Sequence, residues 1–259
     1  MTKSTNGQSE EATLSQQEQT CCPIVELRQY TLHPGKRDTL IDLFDREFIE
    51  SQEAFGMNVI GQFRDLGNQN RFVWFRGFRD MPSRARALEG FYGGPVWKAH
   101  REAANATMID SDNVLLLRPA RPGSEFLFGN DRPGSGTQGN SKRLIVANIY
   151  YFDAPVTEDF IGFFEDVVKP ALTDAGASIL ACFVTEHSVN TFPRLPVREG
   201  ENVFVWVSSF RDEAAYAAHE AALSKSQQWG EVSQELARRL KRSREVLKLS
   251  PTKRARLRG

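Results

Sequence analysis

The stretch "FVWFRGFRD" occupies Phe72–Asp80, and "FVWVSSFRD" occupies Phe204–Asp212. Aligning them pairs Trp74 with Trp206 at an offset of 132. Without a gap, the same offset pairs Trp97 with Trp229, Val114 with Val246 and Pro119 with Pro251. Upstream the offset is 120, pairing Tyr30 with Tyr150, Gly56 with Gly176 and Phe63 with Phe183. Constant spacing over this length is the signature of an internal duplication. The second copy carries 12 extra residues between Phe183 and Phe204, inside the Pro- and Gly-containing stretch "VTEHSVNTFPRLPVREGEN".

Within copy one, "PIVELRQYTL" alternates as a strand does. From Lys36 to Ala54, Leu40, Ile41, Leu43, Phe44, Phe48 and Ile49 recur at helical spacing, and Gly56 ends the run. Strands follow near residues 58–64 and 71–78. A helical region from Pro82 to Met108, broken at Gly93, Gly94 and Pro95, leads to a last strand at "NVLLLRP". The order βαββαβ is the ferredoxin-like unit, whose sheet has helices on one face and needs cover on the other. The expected fold is therefore α+β, with two tandem ferredoxin-like units pairing sheet to sheet as an α+β barrel. The expected organisation is a disordered arm over 1–22, unit 1 over 23–119, a linker over 120–142, unit 2 over 143–251 and a basic tail over 252–259. The linker's "GSGTQG" lacks the Lys-Ser/Thr ending of a phosphate-cradling loop and reads as a hinge.

The residues "VELRQYTLHPGKRDTLIDLF", "FVWFRGFRDMPSRARAL", "GGPVWKAHREAA" and "VLLLRP" resemble the NIPSNAP family. Copy two, with "VANIYYFDAPVTEDF", looks like a diverged second NIPSNAP-like unit. The resemblance implies a dimeric α+β barrel fold. It implies little about chemistry, because related barrel families include cofactor-free monooxygenases, haem-dependent enzymes and isomerases.

If Val25 and Leu27 pack on the helices, alternation turns Glu26, Arg28 and Tyr30 into the barrel, together with Phe72, Trp74, Arg76 and Phe78. In copy two the matching inward set is Asn148, Tyr150, Trp206, Ser208 and Phe210. The expected ligand site is thus a lumen lined by Glu26, Arg28, Tyr30, Trp74, Arg76, Asn148, Tyr150 and Trp206. Two arginines against one carboxylate suit a small anionic or aromatic molecule. Catalytic candidates are weak: His33 beside the "HPGK" turn, Tyr30 and Glu26. No histidine pair has metal-ligand spacing, no GxSxG elbow occurs, and no metal or cofactor is expected. Cys182 reads as a packed side chain, and whether the protein is an enzyme stays open.

The chain's 33 Lys and Arg balance 33 Asp and Glu, so no bulk field recruits nucleic acid or membrane. Three cysteines without framework spacing, no signal-peptide core and no 18-residue apolar run point to a cytoplasmic protein. Expected partners are a small-molecule ligand and a second copy of the chain. The alternative is an adaptor acting through outer helices and the cluster of arginines and lysines from Arg238 to Arg258.

Overall fold

The computed structural model describes residues 19–20, 22–128, 132–134 and 141–259 of the 259-residue chain. In order, these form β1 (Gln19–Thr20), β2 (Ile24–Leu32), α1 (Arg37–Leu43), a π-helical turn (Phe44–Phe48), α2 (Ile49–Glu53), β3 (Asn58–Asp65), β4 (Arg71–Phe78), α3 (Met81–Gly93), α4 (Pro95–Asn105) and β5 (Met108–Pro119). After β6 (Leu127–Phe128) come β7 (Leu144–Phe152), α5 (Glu158–Phe163), a second π turn (Phe164–Val168), α6 (Lys169–Asp174), β8 (Ser178–Thr185), β9 (Asn202–Phe210), α7 (Glu213–Lys225), α8 (Gln227–Arg239) and β10 (Arg242–Pro251).

Local chemistry explains the punctuation. The aspartates that close the two quoted stretches are N-caps: Asp80 accepts from the Ser83 N–H at 2.6 Å and Asp212 from the Ala215 N–H at 2.8 Å. Each therefore satisfies an orphan donor in the first turn of the helix it starts. The helical segments before β3 and β8 end at Gly56 and Gly176, whose φ of +83° and +100° favours a residue without Cβ.

Eight strands close into an antiparallel barrel in the order β10-β3-β4-β2-β5-β8-β9-β7, with β7 pairing back to β10. The expected pairing of two sheets into one barrel is made along their edges, Leu117–Pro119 pairing with Phe183–Thr185 and Leu249–Pro251 with Phe63–Asp65. Closure removes the strand edges that two open sheets would leave unpaired.

The face assignment is inverted relative to the sequence expectation. Val25, Leu27, Phe63, Val73, Phe75, Leu115 and Leu117 pack in one cluster with Ile145, Ala147, Ile149, Phe183, Val203, Val205, Val207, Leu247 and Leu249. This cluster fills the barrel interior and draws on all eight strands. Trp74 and Trp206 instead belong to two separate clusters beneath the helices of the first and second halves. Alternation divides a strand into two faces without saying which is which. An eight-stranded barrel has room for one layer of apolar side chains, so the charged parity lies outside, where helices can supply partners.

The described residues of the segments flanking the barrel are anchored, while 129–131 and 135–140 of the expected linker and hinge lie outside them. Phe126, from the expected linker, packs on Phe75 and Phe183 at ring separations of 5.5 and 5.1 Å. β6 in that linker pairs with β1, inside the expected disordered arm; residues 1–18 and 21 of the arm lie outside the described residues. The expected basic tail also folds back. Leu257 joins the barrel cluster, its N–H donates to the Ile60 carbonyl at 2.9 Å, and Arg254 pairs with Glu50. Leu257→Ala should cost about 2–5 kcal/mol, as other buried leucine truncations do. Chemical denaturation at fixed slope would measure it.

Candidate functional site

The charged parity of β2 and β4 converges beneath the helices of the first half. Glu26, Arg28, Arg76 and Arg84 are all fully buried. Antiparallel pairing sets Glu26 opposite Arg76 and Arg28 opposite Trp74. Arg84 arrives from α3, where Arg84, Leu88 and Phe91 share one buried stripe at i, i+4 and i+7. Glu26 is the hub. Its Oε2 accepts from Arg28 Nη1 at 2.7 Å and Arg76 Nε at 2.8 Å, and its Oε1 accepts from Arg84 Nε at 2.7 Å.

Burial by itself would raise the Glu26 pKa, but Arg76, Arg28 and Arg84 outweigh it and hold the carboxyl far below the ordinary range. Burial also opposes the charge on Arg28, yet Tyr30 and Glu26 raise its pKa overall. Tyr30, which accepts from Arg28 Nε at 3.0 Å, has its own pKa raised by burial. Among the described residues, no second carboxylate pairs with Arg28, Arg76 or Arg84. Three guanidinium groups against one carboxylate leave two positive charges uncompensated in a water-poor layer, where an unpaired charge is costly.

Beside this cluster lies a cavity of ≈ 30 Å³ lined by Tyr30, Phe44, Phe48, Gln52, Trp74, Phe91, Tyr92 and Trp97, among others. That volume holds only a water or two; an organic molecule would have to displace aromatic side chains to enter it. Two buried donors near the cavity and the cluster lack a partner. Trp74 Nε1 is buried without a hydrogen-bond partner, and the Trp74 ring carries the guanidinium groups of Arg76 and Arg28 at 5.0 and 5.7 Å from its centroid. Arg84 Nη2 is likewise buried and unpartnered. Gln52, at the cavity wall, accepts from Arg76 Nη1 at 3.2 Å and so links the cavity to the charge cluster.

The residues expected to share one lumen thus separate into two places. Glu26, Arg28, Tyr30, Trp74 and Arg76 meet under the first half's helices, while Asn148, Tyr150 and Trp206 lie under those of the second. The second set is neutral: at the positions of Glu26, Arg28 and Arg76 stand Val146, Asn148 and Ser208. Cys182 is buried there, and burial pushes its thiol up to about 12, which leaves no thiolate for nucleophilic work near neutrality. His33 is exposed on the turn after β2, away from the cluster. The buried His219 places Nδ1 3.1 Å from the Ala175 carbonyl oxygen, and His100 lies 3.5 Å from Glu47. Among the described residues no group of three His, Cys, Asp or Glu side chains is placed to hold a metal, and no helix is long and apolar enough to cross a membrane.

Sequence reading missed Arg84, Gln52, Tyr92, Trp97 and the insertion residue Asn190, which accepts from Arg84 Nη1 at 3.0 Å. A signal existed for Arg84, because an arginine on the apolar stripe of a helix needs a buried partner. For Asn190 there was none, since it reaches the first half only through the tertiary fold.

Residues 25–122 match the NIPSNAP family model. None of the curated proteins matches the sequence. A Lactobacillus acidophilus protein described as a candidate monooxygenase is similar over 89% of this chain and 94% of its own, at 16% identity and a TM-score of 0.52. An anthrone oxidase-like protein is similar over 88% and 91%, at 14% identity and 0.52. An uncharacterised NIPSNAP domain protein from Burkholderia xenovorans covers 38% of this chain and 94% of its own, at 22% identity and 0.35. At such identities the first two likenesses extend to the fold alone.

Proposed function

Taking the chain as a NIPSNAP protein through residues 25–122, we propose that its first half binds a small, flat, acidic molecule as the conjugate base, in the aromatic pocket between sheet and helices. The observation that carries this reading is the uncompensated charge: Arg28, Arg76 and Arg84 surround Glu26 alone, next to a cavity lined by Trp74, whose buried N–H has no partner. A phenolate or enolate oxygen supplies the missing negative charge and the missing acceptor together, and its ring suits walls made of Tyr30, Phe44, Phe48, Tyr92 and Trp97. Donors and charges fixed before the ligand arrives favour the anion over its neutral acid, which lowers the ligand's pKa on binding. Any reaction that passes through such an anion gains from the same field. The names of the two similar folds, a candidate monooxygenase and an anthrone oxidase-like protein, are compatible with an oxidisable aromatic substrate but do not carry the argument.

The same proposal gives the halves different jobs. Both π turns, at Phe44–Phe48 and Phe164–Val168, and both β-bulges, at Val59/Gly61 and Ile179/Ala181, recur at the sequence offset of 120. These coincidences support descent from one duplicated ferredoxin-like unit. The second unit, having lost the charges, keeps the sheet that closes the barrel.

The test is a spectral titration with 4-nitrophenol at a pH below its own pKa, where the phenol and phenolate absorb differently. Binding should raise the phenolate band, and Trp74→Phe should weaken affinity by about tenfold or more, the loss of one hydrogen bond to a charged acceptor. No phenolate signal at excess protein would end the reading.

A further inference from the structure

The 12-residue insertion of the second half does not cover its own half. Its residues cross the seam to the first. Glu186 N–H donates to the Leu116 carbonyl at 2.9 Å and Arg198 N–H to the Val114 carbonyl at 2.8 Å, so both ends of the loop are pinned to β5 beyond the last β5–β8 pair. Between them, Phe192, Leu195 and Val197 pack into the first half's cluster, and Phe192 stacks on the pocket residue Tyr92 at 5.8 Å and 26°. Asn190 is buried. Its Oδ1 accepts from Arg84 Nη1 at 3.0 Å and from the Phe192 N–H at 3.0 Å, while its Nδ2 donates to the Leu195 carbonyl at 3.1 Å. Thr191 Oγ1 also accepts from Arg84 Nη1, at 3.3 Å, and donates to the Met81 carbonyl at 3.3 Å.

We propose that this strap is the missing wall of the first half's ligand site, and that Asn190 is a specificity-determining residue that holds Arg84 in place without neutralising it. The inference rests on the anion-binding reading above and adds to it the element that keeps the site selective for anions. Arg84 needs an acceptor at Nη1, because a buried guanidinium nitrogen without one is penalised. A carboxylate there would form the stronger, charge-assisted bond. It would also remove one of the two surplus positive charges that attract the ligand. An amide and a hydroxyl orient the guanidinium and leave its charge available, with Arg84 Nη2 still unpartnered. As a positioning group, Asn190 acts on the ligand through Arg84.

Asn190→Asp changes charge at nearly constant shape and separates this role from a structural one. It should weaken binding of 4-nitrophenolate by about tenfold or more while moving affinity for the neutral ether 4-nitroanisole by less than about twofold, because a buried charge acts on a charged ligand far more than on a dipole. Thr191→Asp places a carboxylate against the same nitrogen and carries the same expectation, should the first variant fail to fold. Asn190→Ser, which keeps a neutral acceptor, should preserve the parent's ratio of the two affinities. An unchanged ratio in both aspartate variants, or an equal loss for both ligands, overturns the proposal while leaving the anion-binding reading in place. A parent protein that binds neither ligand overturns that reading, and this inference with it.

Discussion

Replacing Glu26 by glutamine should lower stability by about 3–5 kcal/mol, the cost of removing one partner from a buried ion cluster. For a chain of this size that is a fall of roughly 6–20 °C in melting temperature. Shape is almost unchanged by the substitution, so packing contributes little. The loss arises because Arg28, Arg76 and Arg84, all fully buried, would keep their charges, lose the one negative charge among them, and face an NH2 donor in place of one of the two acceptor oxygens. The acid side of the stability profile offers an independent check. Glu26 has a depressed pKa in the folded state, so its contribution is complete above the unfolded-state value and disappears only as pH falls through the lower, folded one. The glutamine variant should therefore differ most from the parent near neutrality and approach it in strong acid. Equal melting temperatures at pH 7 would show that the cluster is not held by its carboxylate.

The second large effect runs the other way in stability. Substituting Glu26→Val, Arg28→Asn, Arg76→Ser and Arg84→Tyr together installs the residues found at the matching positions of the second half: Val146, Asn148, Ser208 and Tyr216. Those residues already sit on the same kind of sheet–helix layer, beneath a barrel with the same strand register. Exchanging a buried ion cluster for neutral side chains is often neutral or stabilising by about 1–4 kcal/mol. Ligand binding should nevertheless fall by about a hundredfold or more, equivalent to roughly 2.8 kcal/mol, because both surplus charges vanish with the cluster. Thermal melting and the 4-nitrophenol titration on one sample decide the matter. A stable variant that still binds the phenolate would move the site elsewhere.

Much of this molecule was legible in the chain. The two copies of "FVW…FRD" located equivalent strands and the helices that follow them, whose aspartate caps the structure then showed. The pairing of Glu26 with Arg28 and Arg76 was also readable, because strand neighbours of one parity must share a face. Which face that was could not be read. Val25 and Glu26 alternate identically whether the apolar parity points into the barrel or toward the helices. Only the packing limit of an eight-stranded interior decides between them.

The sequence by itself therefore determined the elements, the repeat and the presence of buried charges with too few partners. The tertiary structure alone decided where those charges lie and what completes them. Arg84 comes to Glu26 from 58 residues away and Asn190 to Arg84 from 106, across the seam between the halves. Contacts of that range depend on how the barrel closes, and no local pattern of residues encodes them.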